Sequence, residues 1–267
     1  MHATWNAIVK VEDDRLVTMA VMIGTTGLLA PLLLLLGPAP APESWPYIGL
    51  SAFLNNVYFL FLIEAYRVGD LSHAYPLARG SAPLMVAGGA ALFAGEHLSG
   101  QELAGVAIIS AGIIGLMVVS GSGLKGGWRS IVYPLATGMM IAAYTVVDGI
   151  GVRLSGNPAG YIGWLFILSP IPIVAIVLAR RRRATLAFLR GKWRYPLLGG
   201  CLNMGSYGLA IWALNISAMA HVSALRETSV VIAVLIGTFV LKEPLGRHRM
   251  LASVAVAFGI VLIVGIV

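Results

Sequence analysis

The chain has 267 residues, 58% of them hydrophobic and only 11% charged, with a mean hydropathy of +0.89 and a net charge of +7. A soluble domain carries about 25% charged residues, so the composition excludes a soluble globular enzyme. The single cysteine, Cys201, excludes a disulfide scaffold. What remains is a polytopic, all-α integral membrane protein. A helical span needs about 20 apolar residues. Nine such windows follow one another: Leu16–Leu36, Trp45–Tyr66, His73–Ala94, Leu103–Ser120, Ile131–Val152, Tyr161–Leu178, Tyr195–Ile216, His221–Leu241 and Met250–Val267. Gly- and Pro-rich joints separate them, as at Gly37–Pro42 and Gly121–Gly123. Ahead of the first window, Met1–Val9 is apolar but rises only about 13 Å at 1.5 Å per residue, under half of the roughly 30 Å hydrocarbon core. It reads as the second half of a tenth span. The expectation is that in-frame sequence upstream encodes roughly a dozen further apolar residues, or that the chain is a non-transporting remnant or assembly partner.

Charge placement gives an orientation. With Met1–Val9 counted as span one, the connections after the odd-numbered spans hold fifteen of the 18 Lys and Arg. Those after the even-numbered spans hold only Arg153, while Arg79 and Arg226 lie within spans. Basic connections stay in the cytoplasm, which places both chain termini on the far side. The basic balance is therefore a topology signal, and no nucleic-acid partner is expected. The Arg180–Arg194 run could in addition touch anionic lipid.

An internal repeat underlies the spans. An offset of 147 aligns Arg79 with Arg226, Glu96 with Glu243, Leu98 with Leu245, Gly112 with Gly259 and Ile113 with Ile260. An offset of 148 aligns Asn55 with Asn203, Phe59 with Tyr207 and Ala65 with Ala213. Five spans per copy is an odd number, so the second copy must enter the membrane inverted. Inverted repeats with a binding site at their interface are a frequent transporter architecture.

Three stretches carry a family resemblance. Tyr75–Pro83 with Gly95–Ser99 resembles the fourth span and exit of an EamA-type member of the drug/metabolite transporter superfamily. Ala224–Ser229 through Leu241–Leu245 is similar to the ninth, and His2–Lys10, with Trp5 and Asn6, to the exit of the first. The resemblance implies ten spans in two inverted five-helix repeats, 1–120 and 131–267, joined by a loop at 121–130, with the first span truncated. It further implies a central cavity and ATP-independent movement of a small metabolite. An exporter in the cell membrane, in bacteria the inner membrane, is expected. Eukaryotic relatives are drawn with both termini cytosolic; the local charge count gives the opposite.

Charged groups at bilayer depth are costly and face a cavity or a partner. Arg79 and Arg226 are the leading substrate candidates, because a guanidinium presents a fork suited to carboxylate or phosphate; the alternative is a snorkelling or helix-bracing role. Glu227, with Ser223 one turn before it, is a proton relay or countercharge, or closes an ion pair of the Arg226–Glu227 kind. Asp148, with Tyr144 one turn before it, poses the same alternatives. Asn6 shares a polar helix face with His2 and Lys10. Trp5, Asn55, Asn203 and Tyr207 complete the set of substrate candidates. Tyr58, Tyr66, Tyr75 and Trp212 are read first as packing or interface aromatics.

No metal site and no cofactor are expected. The five His are scattered, no Walker A sequence is present, and Gly121–Gly126 satisfies the dinucleotide fingerprint without the preceding strand it needs. A membrane-embedded enzyme remains the rival from another class. No Gly–x–Ser–x–Gly elbow or second intramembrane Asp supports it. The leading expectation is a secondary transporter of an amphoteric or anionic solute in the lipid bilayer, with proton coupling left open.

Overall fold

The computed structural model describes residues 15–68, 71–119, 127–192, 194–229, 231–232 and 247–265. Among these residues there are helices and no strands. Hydrocarbon offers the backbone no hydrogen-bond partner, and a helix satisfies its own N–H and C=O groups. In chain order the helices are α1 (Arg15–Leu29), α2 (Pro31–Leu34), α3 (Trp45–Val68, entered through a 3-10 turn), α4 (Leu71–Ala94), α5 (Gly100–Val119), α6 (Arg129–Leu154), α7 (Pro158–Leu168), α8 (Pro170–Lys192), α9 (Arg194–Ile216), α10 (Met219–Arg226) and α11 (Arg247–Val264).

Six stretches among the described residues are long and apolar enough to cross a bilayer: Val17–Leu34, Pro42–Val68, Ala74–Ala94, Arg129–Leu154, Pro158–Arg190 and Pro196–Ile216. Two shorter apolar helices, Gly100–Gly115 and Met250–Val264, accompany them. Three of the expected windows contain a break in the helix. Leu16–Leu36 is broken after Leu29, and Tyr161–Leu178 after Leu168. In both places a proline opens the next helix, where its missing N–H costs nothing. His221–Leu241 starts on α10, which ends at Arg226; positions 233–241 lie outside the described residues, as does Met1–Val9.

The chain forms two compact units, one of Met1–Asn56 with Val147–Ile216 and one of Val57–Val146 with Ser217–Val267. Each draws on both halves of the sequence.

In the first unit α1 packs along α8 and α9. Val17 and Ala20 meet Ile173 and Val177 in a buried cluster, and the Thr26 hydroxyl donates to the Gly200 carbonyl at 3.2 Å. The approach is close because position 200 lacks a side chain: a Cβ there would lie 2.9 Å from the Met22 carbonyl. The two turns of this unit are tied together. Ala41 N–H donates to the Ser155 carbonyl at 3.0 Å, and the Asn157 amide donates to the Pro38 carbonyl.

In the second unit α5 lies between α4 and α11. Its contact with α11 is antiparallel: Gln101 bonds the Leu262 carbonyl, Gly105 abuts Gly259, and Gly112 abuts Ala252 and Ala255. A Cβ on Gly105 would sit 2.7 Å from the Gly259 carbonyl, and one on Gly259 2.6 Å from the Gly105 carbonyl. Small residues let helices approach this closely, and van der Waals packing of that kind drives association in lipid. Val106, Ile109, Ile113, Ala224, Val256 and Ile263 fill the space alongside.

The α5–α11 contact is reciprocal under the 147-residue offset. Gly112 meets Ala252, and their repeat mates Gly259 and Gly105 meet each other. Such i-to-j′ and j-to-i′ contacts are the mark of a two-fold relation.

Candidate functional site

The second unit buries an ion pair. Arg79 sits in the first half of α4, 5% exposed, and Glu227 just past the end of α10, 2% exposed. Arg79 Nη2 lies 2.6 Å from Oε1, and Nε donates to Oε2 at 3.2 Å. Two guanidinium nitrogens thus face the two carboxylate oxygens, one as a hydrogen bond and one as a close ion-pair contact. The hydroxyls of Tyr75, Tyr144 and Tyr58 lie within electrostatic range of the same guanidinium. Tyr58 and Tyr144 meet edge-on with ring centroids 5.8 Å apart.

Local sequence explains why the pair can form. Pro76 and Pro83 lie inside α4 on either side of Arg79. Pro83 has no N–H to give the carbonyl four residues back, and that carbonyl belongs to Arg79. Gly80 and Gly138 then fix the helix in place. A Cβ on Gly80 would lie 3.1 Å from the Ser110 carbonyl of α5, and one on Gly138 of α6 2.9 Å from the Ala78 carbonyl. On the other side, α10 stops at Arg226, and Glu227 closes a turn by donating its N–H to the Ala224 carbonyl at 3.0 Å. Interrupted helices near buried charges are a transporter feature.

A second polar cluster lies in the first unit around Asp148, which is fully buried on α6. Tyr161 of α7 donates to Oδ1 at 3.0 Å and Tyr207 of α9 to Oδ2 at 2.5 Å. The Asn55 amide of α3 donates to the Tyr207 hydroxyl at 3.2 Å and to the Ser51 carbonyl at 2.9 Å. Tyr161 reaches the carboxylate because Gly151 has no side chain; a Cβ there would lie 2.7 Å from the Tyr161 hydroxyl.

The profile of the EamA-like transporter family matches residues 7–118 and 128–265. The chain belongs to that family. The two matched segments make it a two-copy EamA-like membrane protein, multi-pass by the six long apolar stretches among its described residues. A solved structure described only as "Crystal structure of protein" is similar in fold: TM-score 0.75, 15% identity, 99% of this chain and 95% of that one. No curated protein matches the chain.

The candidates of this EamA-like chain are thus sorted by place. Arg79 and Glu227 are joined in the second unit, with Tyr144 beside them. Glu227 is held by Arg79, and the adjacent Arg226, which is half-buried, bears on it through its field. Asn55, Tyr207 and Asp148 are joined in the first unit. Asn203, one turn before Tyr207 on α9, is half-buried, and its carbonyl accepts from the Ser206 hydroxyl. Trp5 and Asn6 lie outside the described residues. Trp212 is half-exposed on α9, as an aromatic facing lipid would be. Sequence reasoning missed Tyr161 altogether. The only signal was its position three residues after Pro158, which opens α7.

Proposed function

We propose that this protein is a secondary-active transporter of small amphoteric or anionic solutes, an exporter in the cell membrane. The buried Arg79–Glu227 pair is the observation that carries the reading. A zwitterionic solute bears the same two charges as the pair: its carboxylate suits the Arg79 fork and its ammonium suits Glu227. Partner exchange turns one buried ion pair into two and leaves neither Arg79 nor Glu227 unpaired, so the large penalty of an uncompensated buried charge is avoided. The tyrosine hydroxyls around Arg79 and the carbonyl freed by Pro83 add neutral donors and acceptors. A purely anionic solute would have to displace Glu227, and a proton on that carboxyl would release Arg79 for it. Proton coupling therefore fits the same pair.

The proposed frame is ten spans in two inverted repeats, 1–120 and 131–267, moving solute by alternating access. The antiparallel and reciprocal contact of α5 with α11 supports inversion, since these helices are repeat mates. Orientation is supported by the connections. The Pro38–Ala41 turn bonds the Ser155–Asn157 turn, and Glu96 and Glu102 bond Met219 and His221. Each bond joins two connections of the side poor in Lys and Arg. The basic side, with Arg180–Arg194, is proposed to face the cytoplasm.

The test is counterflow in vesicles holding the purified protein, across a panel of amino acids, organic anions, and neutral and cationic solutes. Saturable exchange of an amphoteric or anionic member supports the proposal. Exchange confined to cationic or neutral solutes, or absent from properly folded protein, overturns it.

A further inference from the structure

We propose that the second half of α8 is a membrane-surface helix that binds the headgroups of anionic phospholipids. The backbone breaks at Arg181, whose φ of −135° and ψ of 30° are not helical. α8 is therefore two helices meeting at an angle. The first completes a crossing: Pro158 to Arg180 rises about 34 Å at 1.5 Å per residue, enough for the roughly 30 Å hydrocarbon core. Pro196–Ile216 crosses again directly afterwards. The residues between these crossings must therefore lie at the membrane boundary.

The faces of the surface helix differ in chemistry. Thr185, 4% exposed, and Phe188 turn inward; Phe188 packs on the Val17–Ala20–Ile173–Val177 cluster, and the Thr185 hydroxyl bonds the Arg181 carbonyl at 3.1 Å. That contact holds the helix down beside α1 after the break. Leu186 and Leu189, three apart and so on one ridge, are 44% and 38% exposed. Arg182, Arg183 and Arg190 are exposed beside them. An apolar ridge bordered by arginines matches an interfacial helix, with leucines entering the acyl boundary and guanidinium groups at headgroup level.

Charge complementarity selects the lipid. Seven Lys and Arg fall between positions 180 and 194, and no Asp or Glu occurs between Asp148 and Glu227. Clusters of four to eight basic residues next to a span attract anionic lipid. The phosphate of an anionic headgroup also suits the planar guanidinium better than that of a zwitterionic one, whose attached ammonium repels it.

The experiment places a fluorophore at Leu189→Cys, with the exposed Cys201 changed to Ser, in the full chain reconstituted in phosphatidylcholine vesicles. Brominated phosphatidylglycerol and brominated phosphatidylcholine are compared as quenchers, giving a relative affinity. The expected result is stronger quenching by the anionic lipid. The triple change R182Q/R183Q/R190Q should bring the ratio toward unity, at roughly fivefold per charge removed. Equal quenching by the two lipids with the arginines intact overturns the proposal, as does a fluorophore that neither quenches.

Discussion

Arg79 on α4 and Glu227 at the end of α10 stand 148 positions apart in the chain and meet through two N–O contacts, of 2.6 and 3.2 Å. The pair joins one copy of the sequence repeat to the other. It also breaks the repeat, because Arg79 maps onto Arg226 but Glu227 maps onto Gly80. Only the second copy carries the acid, so two matched arginines end in different surroundings.

Removing one partner leaves an uncompensated buried charge, at a cost of about 3–5 kcal/mol. Glu227→Gln alone and Arg79→Gln alone should therefore lower the melting temperature of the purified protein sharply. The double variant R79Q/E227Q should melt closer to the unaltered protein than either single one. A double variant that melts at the sum of the two losses would show that the groups do not act as a pair.

The α5–α11 contact makes a prediction about size alone. Gly105→Leu and Gly259→Leu must push the two backbones apart, and overpacking of this kind costs about 1–3 kcal/mol. Gly115→Leu on the same α5 is the control, since nothing lies within 4 Å of a Cβ at that position. Thermal melts should rank Gly115→Leu well above the other two; equal melts would contradict the described approach.

In the Asp148 cluster the tyrosines are unequal. Tyr207 donates to the carboxylate and accepts from Asn55, whereas the Tyr161 hydroxyl donates to the carboxylate. Tyr207→Phe takes a donor from the Asp148 carboxylate and an acceptor from the Asn55 amide and should cost about 1–3 kcal/mol, more than Tyr161→Phe. In the Asp148→Asn background Tyr207→Phe should cost less than it does alone. Full additivity in that double-mutant cycle would argue against the hydrogen bond.

Glu102, partly exposed in the first turn of α5 and ahead of the Leu103–Ser120 window, responds to pH. The Ser99 backbone N–H donates to its carboxylate at 2.7 Å, and the Ser99 hydroxyl accepts from the Glu102 N–H at 3.3 Å, a capping box. The backbone bond, with the Ser99 side chain and His221 adding to it, holds the carboxyl below its ordinary range. A carboxyl depressed in the folded state stabilises at pH above the unfolded value, about 4.3. That contribution is lost as pH falls through the folded value. The melting difference between the unaltered protein and Glu102→Gln should be constant at neutral pH and shrink once the pH drops below about 4. A difference that grows on acidification would reverse the sign.

Much of the fold was legible because lipid imposes a simple rule on composition, and apolar windows near α3, α4, α6 and α9 locate those helices. Hydropathy failed at breaks and overruns. Proline at 31 and 170 divides windows that composition reads as continuous. α8 runs on to Lys192 because arginine favours helix even where it cannot favour hydrocarbon. The site was legible in its members more than in its pairings. Arg79, Glu227 and Asp148 stood out as charges inside apolar sequence. Their partners are set by helix packing over long separations, and adjacency in sequence, as of Arg226 at the end of α10 and Glu227 in the turn after it, does not make two side chains face each other. The turn at Glu227 carries neither Pro nor Gly and left no mark in the sequence.

The most direct measurement of the central claim is counterflow by Arg79→Lys protein in vesicles, with the amount inserted and the melting temperature determined on the same preparation. Lysine keeps the charge opposite Glu227 but lacks the two-pronged fork. If Arg79 binds the solute, protein that inserts and melts near the unaltered values should lose at least about tenfold in exchange of amphoteric or anionic solutes, which corresponds to about 1.4 kcal/mol of lost interaction. Unchanged counterflow kinetics in that protein would contradict a solute-binding role for the pair and leave it a brace between helices.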